Sequence, residues 1–419
     1  MRLEELVELA RSQGASDLHL EPGLPPTVRV RGGLRSLGEP LPAVAILSMV
    51  QQLIGDKLWP DFLVQRSFDQ ALTVAGVRCR CNALHTMRGV GLAVRLLPST
   101  LPTLASLNLH PDLRKLVAQP HGLILVSGAT GSGKSSTLAA LLQEINLGQP
   151  RNILTIEQPI EYALRPRQAF IRQREVGRDT PSFDQALRDA LREDPDVIMV
   201  GELRDPETMR LTLNAAETGH LVLATLHSSS VAEALQRLVM AFSAEIQPSI
   251  ACQLADCLVA VVCQRLTYRP ELELRLPECE ILSTSSAVKG VIRQQEFYKL
   301  ASVMETGAAA GMWSWQRYRR WLEGRSSFAR PSEEPSPVGG ETDELAQRAS
   351  VEAALHRPAP PRTAPAPAWA TPAAGPRSHP GASRRAAPTS EAEDGVIVIE
   401  APGGDAASIL REMDLLRKG

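Results

Sequence analysis

The sequence predicts an α/β fold whose central sheet is mostly parallel and covered by helices on both faces. Four short apolar runs alternate with segments of helical periodicity, and they lie at residues 123–126, 153–156, 197–200 and 221–225. Continuous apolar runs of this kind are typical of parallel strands that are buried on both faces. Each run gives way to a glycine or a polar residue, as expected where ligands bind at the carboxyl ends of such strands.

A small α+β domain is predicted ahead of this sheet, over residues 1–98. Apolar residues recur at helical spacing from Leu3 to Ala10, and Gly14 ends the pattern. Runs with strand-like alternation then follow at residues 17–20, 28–30, 72–74, 77–81 and 92–96. Such alternation, interrupted by glycine-containing turns, predicts strands with one buried face.

The first apolar run of the sheet leads into a glycine-rich segment that opens a helix. This arrangement is the P-loop pattern, in which backbone N–H groups turn toward a polyphosphate at a helix N-terminus. Lys134 would reach the β- and γ-phosphates, and the Ser135 hydroxyl would bind Mg²⁺. A glycine-rich turn without a ligand is the competing interpretation, but the preceding strand and following helix favour ATP and Mg²⁺. The predicted nucleotide-binding residues are Gly128, Ala129, Thr130, Gly131, Ser132, Gly133, Lys134, Ser135 and Ser136.

Charged side chains follow the other three apolar runs. Glu157 and Glu161 follow the second run, Glu202 follows the third and His227 follows the fourth. Taken alone, a glutamate at a strand end is usually solvated, and a single histidine is more often structural than catalytic. A phosphate cradle, a metal ligand and nearby acids are nevertheless the parts that phosphoryl transfer requires.

Capping signals separate these runs into strands and helices. Ser182 and Gln185 form the signature of a helix start, and Asp205 followed by Pro206 forms another. Gly219 would end the second of these helices. Together the signals predict one P-loop domain over residues 99–325.

A Pro/Ala-rich tail is predicted to be disordered over residues 326–419. Residues 331–390 contain 12 of the 32 prolines, and such a composition buries too little apolar surface to fold. Short apolar segments return at residues 396–399 and 409–416. They could form a docking peptide on a tether or be part of a frayed tail, and the sequence leaves both interpretations open.

Composition excludes several classes of protein. A net charge of −2 with 22% charged residues gives no indication of direct nucleic-acid binding. The six cysteines lack zinc-ligand spacing, which predicts reduced, buried thiols. We expect no transmembrane segment and a cytoplasmic protein, since no apolar run reaches 18 residues and the N-terminus lacks a signal-like apolar region.

Several motifs in order along the chain resemble the PilT-type ATPases that retract type IV pili, within the type II/IV secretion ATPase superfamily. They lie at residues 14–19, 128–135, 155–161, 173–180, 192–196, 201–205 and 216–227, with a more diverged segment at 287–293. The resemblance implies a PAS-like N-terminal domain and a RecA-like P-loop ATPase domain. It also implies a homo-hexameric motor for pilus retraction, peripheral at the inner membrane through a platform protein and with a related retraction ATPase as a further partner.

The resemblance also implies roles for individual residues. Glu161 would activate water, and Glu202 would occupy the Walker B position. His227 would belong to a histidine box together with His220. Arg80 and Arg95 match arginines that this family directs at the nucleotide, and we expect them to act across a subunit interface.

The chain departs from the family pattern at three places. Gln158 replaces an aspartate, residues 267–273 replace a glycine-rich basic hairpin, and the tail has no counterpart in the simplest members. A weakly hydrolysing accessory subunit of a retraction motor, or a secretion or DNA-uptake ATPase, therefore stays open as an alternative function.

Overall fold

The computed structural model describes residues 2–30, 32–97 and 100–330, all of which belong to one compact unit. These residues form two sheets, which confirms the predicted α/β fold with an α+β domain ahead of it. The predicted apolar segments near the C-terminus lie outside the described residues. Within the described ranges, no helix combines the length and apolar character needed to cross a membrane.

The N-terminal sheet has six antiparallel strands in the order β3-β2-β1-β6-β5-β4. The strands are β1 (Ala15–Leu20), β2 (Thr27–Val30), β3 (Gly33–Ser36), β4 (Ser67–Val74), β5 (Val77–Thr86) and β6 (Gly89–Leu96). Ala75 and Gly76 join β4 to β5 with positive φ angles of 50° and 70°, as a tight hairpin turn requires. Helices α1 (Leu3–Ser12) and α2 (Ala43–Gln65) pack against the sheet. The predicted first helix and alternating strands are therefore confirmed.

Helix α2 was not predicted from the sequence. Gly55 lies inside it with non-helical angles (φ 75°, ψ 162°), and Pro60 follows within the same element. Both residues interrupt helical periodicity, which explains why the segment gives no clear amphipathic signal. Ile46 and Val50 of α2 are nevertheless fully buried in the N-terminal core.

The second sheet has seven strands in the order β13-β12-β7-β11-β10-β8-β9. The strands are β7 (Gly122–Ser127), β8 (Asn152–Glu157), β9 (Phe170–Glu175), β10 (Val197–Val200), β11 (Leu221–Leu226), β12 (Leu258–Arg269) and β13 (Leu274–Ser283). All neighbouring pairs are parallel except β12 and β13, which form an antiparallel edge hairpin. Residues 267–273 thus complete a hairpin although they lack the family's glycine-rich sequence.

Helices cover both faces of this sheet, as predicted. They are α3 (Leu113–Leu116), α4 (Lys134–Gly148), α5 (Phe183–Ala190), α6 (Pro206–Glu217), α7 (Val231–Met240), α8 (Gln247–Cys257), α9 (Ser286–Arg293), α10 (Leu300–Thr306) and α11 (Trp315–Glu323). Successive residues of β7 belong to different cores: Leu123 and Leu125 pack with α5–α10, whereas Ile124 and Val126 pack with α3, α4 and α11. This double burial explains the continuous apolar runs.

The predicted helix starts are confirmed in their hydrogen bonds. The Ser182 hydroxyl accepts from the backbone N–H of Gln185, and Asp205 accepts from the N–H of Thr208. Gly219 adopts a φ of 109° between α6 and β11, a conformation that favours glycine. These caps define where α5 and α6 begin. The strands that follow these helices, β10 and β11, end at the site described below.

The residues after α11 continue to contact the P-loop domain. The Asn108 side chain donates to the carbonyl of Ala329 and accepts from its N–H, both at 2.8 Å. Asn108 is buried, so this pair replaces water at a buried amide. The domain boundaries at residues 98/99 and 325/326 stay predictions, and ordered packing extends at least to Ala329.

Five cysteines are buried and Cys252 is exposed. Burial raises the pKa of the Cys79 and Cys81 thiols to about 12, which leaves them protonated near neutral pH. The expectation of buried thiols was therefore wrong for Cys252, which lies on α8.

Candidate active site

A cavity of about 640 Å³ lies where the carboxyl ends of the parallel strands face the N-terminal sheet. It brings together most of the predicted site residues, from both domains of one chain. Its lining includes Thr130, Gly131, Gly133, Lys134, Ser135, Ser136, Glu161, Glu202, His227, Arg80 and Arg95. The sequence-based expectation that these residues share one site is consistent with this geometry.

The P-loop connects β7 to α4 in a conformation that depends on glycine. Gly133 caps α4 with a φ of 89°, and a Cβ on Gly128 would lie 2.3 Å from the backbone oxygen of Gln264. Lys134 Nζ donates to the carbonyls of Gly128 and Ala129 at 2.9 and 3.0 Å. Burial lowers the pKa of Lys134, and the nearby Glu202 carboxylate acts in the opposite direction. The Lys134 ammonium group is therefore held against the backbone of the P-loop.

Gln264 of β12 contacts the backbone of the P-loop and supports its conformation. Sequence analysis did not predict this role. Its Nε2 donates to the Ser132 carbonyl and its Oε1 accepts from the Thr137 hydroxyl, each at 2.6 Å. A Cβ on Gly133 would lie only 2.8 Å from the same Nε2, and the φ of 89° at this position favours glycine in any case. The amide thus ties the loop to the first turn of α4.

The end of β8 and the loop after it carry two acids in different environments. Glu157 is buried, and its Oε1 accepts from the Thr155 hydroxyl at 2.7 Å and from Gln173 Nε2 at 3.1 Å. Burial raises the pKa of Glu157 to about 7, although these hydrogen bonds act to lower it. Glu161 lines the cavity and raises the Glu157 pKa further through charge repulsion. Glu157 was not among the predicted site residues, although its place at a strand end was noted.

A third acid of the cavity follows β10. Glu202 pairs with Arg204, and its Oε2 lies 3.5 Å from His227 Nε2. His220 does not join them: it precedes β11, whereas His227 follows it, and His220 Nδ1 contacts the carbonyl of Ala215 at 2.9 Å. The histidine box expected from the resemblance is therefore divided between the two ends of one strand.

The two predicted arginines reach the cavity from the N-terminal sheet. Arg80 Nε and NH2 contact Oδ1 and Oδ2 of Asp69 at 3.0 and 2.6 Å, and Arg95 Nε contacts Asp17 Oδ1 at 2.9 Å. The Asp69 hydrogen bond raises the pKa of Arg80, followed by the charges of Glu161 and Glu202. Both arginines line the cavity of their own chain, so no second chain is needed to bring them there. The expectation that they act across a subunit interface stays a prediction.

The residues present fit a nucleoside triphosphate with Mg²⁺. Ser132 Oγ is buried and has no hydrogen-bond partner among the described residues, which leaves an unpaired donor within the P-loop. Hydroxyl and carboxylate oxygens, here Ser135, Glu161 and Glu202, are the ligand types that Mg²⁺ prefers. No cluster of three His, Cys, Asp or Glu side chains suitable for a metal occurs in the described part of the chain. The donor set therefore suits an ion held largely by phosphates and water.

Comparisons with known proteins agree with this site. A family model described as "Type II/IV secretion system protein" matches residues 2–307. The type IV pilus retractation ATPase PilT of Pseudomonas aeruginosa is 41% identical over 314 residues, which cover 74% of this chain and 91% of that protein. A twitching motility protein of Neisseria gonorrhoeae is 41% identical over 289 residues, covering 68% of this chain and 77% of that protein. The crystal structure of the pilus retraction motor PilT with bound ADP matches with a TM-score of 0.72 and 33% identity, covering 83% of this chain and 99% of that one. The matches extend across both sheets.

Proposed function

The chain belongs to the type II/IV secretion system protein family and is an ATPase, and from this premise we propose that it powers the retraction of type IV pili. The observation that carries the proposal is the cavity in which a P-loop, three acids and two arginines converge. Relatives named for pilus retraction and twitching motility, at 41% identity, support retraction as the work that hydrolysis drives.

The residues divide the chemistry among them. Lys134 and the P-loop N–H groups bind the phosphates, and Glu161 orients the attacking water and accepts its proton. Arg80 and Arg95 stabilise the negative charge that develops on the γ-phosphate. Mg²⁺, held through Ser135 with Glu202 nearby, would neutralise phosphate charge when bound. His227 lies beside Glu202, so a change in the position or the partners of that carboxylate would alter the contacts of His227.

We further propose a homo-hexamer that acts in the cytoplasm, at the inner membrane, through a pilus platform protein. A ring lets hydrolysis in one subunit change its contacts with the next, which is a means of turning chemistry into movement. A related retraction ATPase is a further candidate partner.

A weakly hydrolysing accessory subunit is the second candidate function. The observation that favours it is Gln158, which lines the cavity where the family resemblance expects an aspartate. An amide keeps hydrogen bonding but lacks the charge that would order a metal or a water. A secretion or DNA-uptake ATPase is the remaining alternative.

Purified protein and a deletion strain together test the proposal. We expect the wild-type protein to hydrolyse ATP, Lys134→Ala to abolish hydrolysis, and Glu161→Gln to reduce kcat by about 10²–10⁴-fold while retaining nucleotide binding. Very low wild-type turnover that Gln158→Asp raises by a similar factor would instead support the accessory subunit. Normal pilus retraction in the deletion strain, with a loss of secretion or DNA uptake, would support the third alternative.

A further inference from the structure

One arginine of the N-terminal sheet contacts the loop that carries Glu161. Arg78 lies on β5, two residues before Arg80, and its side chain is 13% exposed. Its NH2 lies 3.4 Å from the carbonyl oxygen of Ile160 and 3.4 Å from Glu175 Oε2. Both partners belong to the P-loop domain, so Arg78 forms a polar link between the domains.

The link holds both backbone polar groups of Ile160, in the loop that carries Glu161. The N–H of Ile160 donates to Glu175 Oε2 at 3.3 Å, while its carbonyl accepts from Arg78. Ile160 is the residue immediately before Glu161. The Ile160 carbonyl belongs to the peptide that joins Ile160 to Glu161, so the orientation of that peptide determines where the Glu161 side chain enters the cavity.

The link is also electrostatically constrained. The Glu175 side chain is 2% exposed, and it has cations on two sides: Arg78 from the N-terminal sheet and Arg178, at 3.5 Å, from its own domain. Withdrawing one cation from a buried carboxylate is unfavourable, since water cannot replace it at that depth. A movement of β5 away from the P-loop domain would thus disturb Glu175 and, through it, Ile160.

We propose that Arg78 is an interdomain positioning residue that makes the placement of Glu161 depend on the position of the N-terminal domain. The same strand carries Arg80, which lines the cavity. A single strand therefore places an arginine near the phosphates and holds the loop of the water-orienting acid. Hydrolysis is fast only when the two domains are closed on each other. This inference rests on the proposed role of Glu161 in ATP hydrolysis.

Steady-state kinetics of the full chain test the proposal. We expect Arg78→Ala to lower kcat by about tenfold or more, because small displacements of catalytic groups have large effects on rate. The KM for ATP and the affinity for ADP should stay within about twofold of wild type, since Arg78 does not line the phosphate cradle. Arg78→Lys, which keeps the charge, should recover part of the lost kcat.

Arg178→Ala is the matched control, because it removes the other cation of Glu175 without touching the N-terminal sheet. Its kcat should fall by much less than that of Arg78→Ala, because Arg78 still holds both Glu175 and the Ile160 carbonyl. A second readout separates positioning from general damage: in a Glu161→Gln background, Arg78→Ala should cause little further loss of single-turnover rate, since both substitutions act on one step. Thermal unfolding of each variant shows whether it is folded at the assay temperature.

The outcomes distinguish this inference from the proposed function. If wild type hydrolyses ATP, Glu161→Gln is impaired and Arg78→Ala matches wild type, the interdomain link is wrong while the function stands. Equal losses in Arg78→Ala and Arg178→Ala would also overturn it, because the effect would then follow Glu175 alone. If neither wild type nor Gln158→Asp hydrolyses ATP, the proposed function itself fails.

Discussion

The side-chain amide of Gln264 donates to the backbone carbonyl of Ser132 at 2.6 Å, within the P-loop. Gln264 is buried at the end of the stretch where β12 runs parallel to β7, the strand that leads into the loop. Because the amide pairs with the Ser132 carbonyl, that acceptor would not face the phosphates of a bound nucleotide. The phosphate cradle therefore depends on Gln264, although this residue does not itself line the cavity.

Gln264→Glu should weaken ADP binding by about ten- to hundredfold, because it replaces a donor to Ser132 by a carboxylate that repels the carbonyl and the phosphates. Thr137→Val provides the contrast. It removes only the hydrogen bond on the helix side, so it should lower the free energy of unfolding by about 1–3 kcal/mol with a much smaller effect on ADP affinity. Calorimetric titration with ADP measures the difference; equal affinity of Gln264→Glu and wild type would contradict the role assigned to the amide.

A second prediction concerns the buried acid of the same site. Burial raises the pKa of Glu157 from 4.5 to about 7, so between these values the folded chain retains a proton that the unfolded chain has lost. This group therefore lowers the free energy of unfolding as the pH rises from about 4.5 to 7, by up to about 3 kcal/mol. Glu157→Gln keeps an oxygen for Thr155 and removes the titration.

Urea unfolding at pH 5 and at pH 7.5 tests this directly. At each pH, the free energy of unfolding of Glu157→Gln is compared with that of wild type. This difference should favour the variant by about 2–3 kcal/mol more at pH 7.5 than at pH 5, because most of the Glu157 titration lies between these two pH values. Parallel pH profiles for the two proteins would mean that Glu157 is ionised in the folded state throughout this range.

The contacts of residues 325–330 give a third prediction. Asn108 exchanges two hydrogen bonds with Ala329, and the guanidinium of Arg325 lies over the rings of Trp321 and Phe328. A chain that ends at Gly324 loses these contacts and leaves a buried amide unpaired. It should be less stable than a chain that ends at Arg330 by about 2 kcal/mol. Equal stability of the two truncations in urea would show that residues 325–330 contribute nothing to the fold.

Sequence analysis predicted the parts of the site that are local in the chain. The P-loop, the acids at strand ends and the capped helices each depend on residues within a few positions of one another. Gln264 could not be predicted in this way, because 132 positions separate it from Ser132 and only the pairing of β12 with β7 brings them together. Arg78 was missed for the same reason, since its partners lie in the other domain.

Helix α2 shows a different limit. Gly55 and Pro60 lower its helical propensity, yet burial of residues such as Ile46 and Val50 stabilises it. Tertiary packing thus overrides the local signal. The fold class was less sensitive to such errors, because it depended on several strands at once.

The last prediction concerns how Arg80 acts. Asp69 holds its guanidinium through two contacts, and the arginine lines the cavity that contains Lys134 and Glu161 of the same chain. An arginine that stabilises the γ-phosphate contributes about 10³–10⁵-fold in P-loop NTPases, so Arg80→Ala should reduce kcat far more than nucleotide affinity. Arg35→Ala is the matched control, because this exposed arginine of the same sheet lies outside the cavity lining and should keep wild-type turnover.

Mixed assemblies distinguish action within a chain from action across an interface. When Arg80→Ala and Glu161→Gln chains are combined, every chain lacks one of the two groups. If each active site is built from one chain, as the geometry indicates, no site is complete and activity should stay at the level of the separate variants. If Arg80 acts on a neighbour, some sites regain both groups and activity should rise well above that level. Tagged subunits that co-purify establish that mixing occurred, so recovered activity in such assemblies would overturn the within-chain role and restore the interface expected from the sequence.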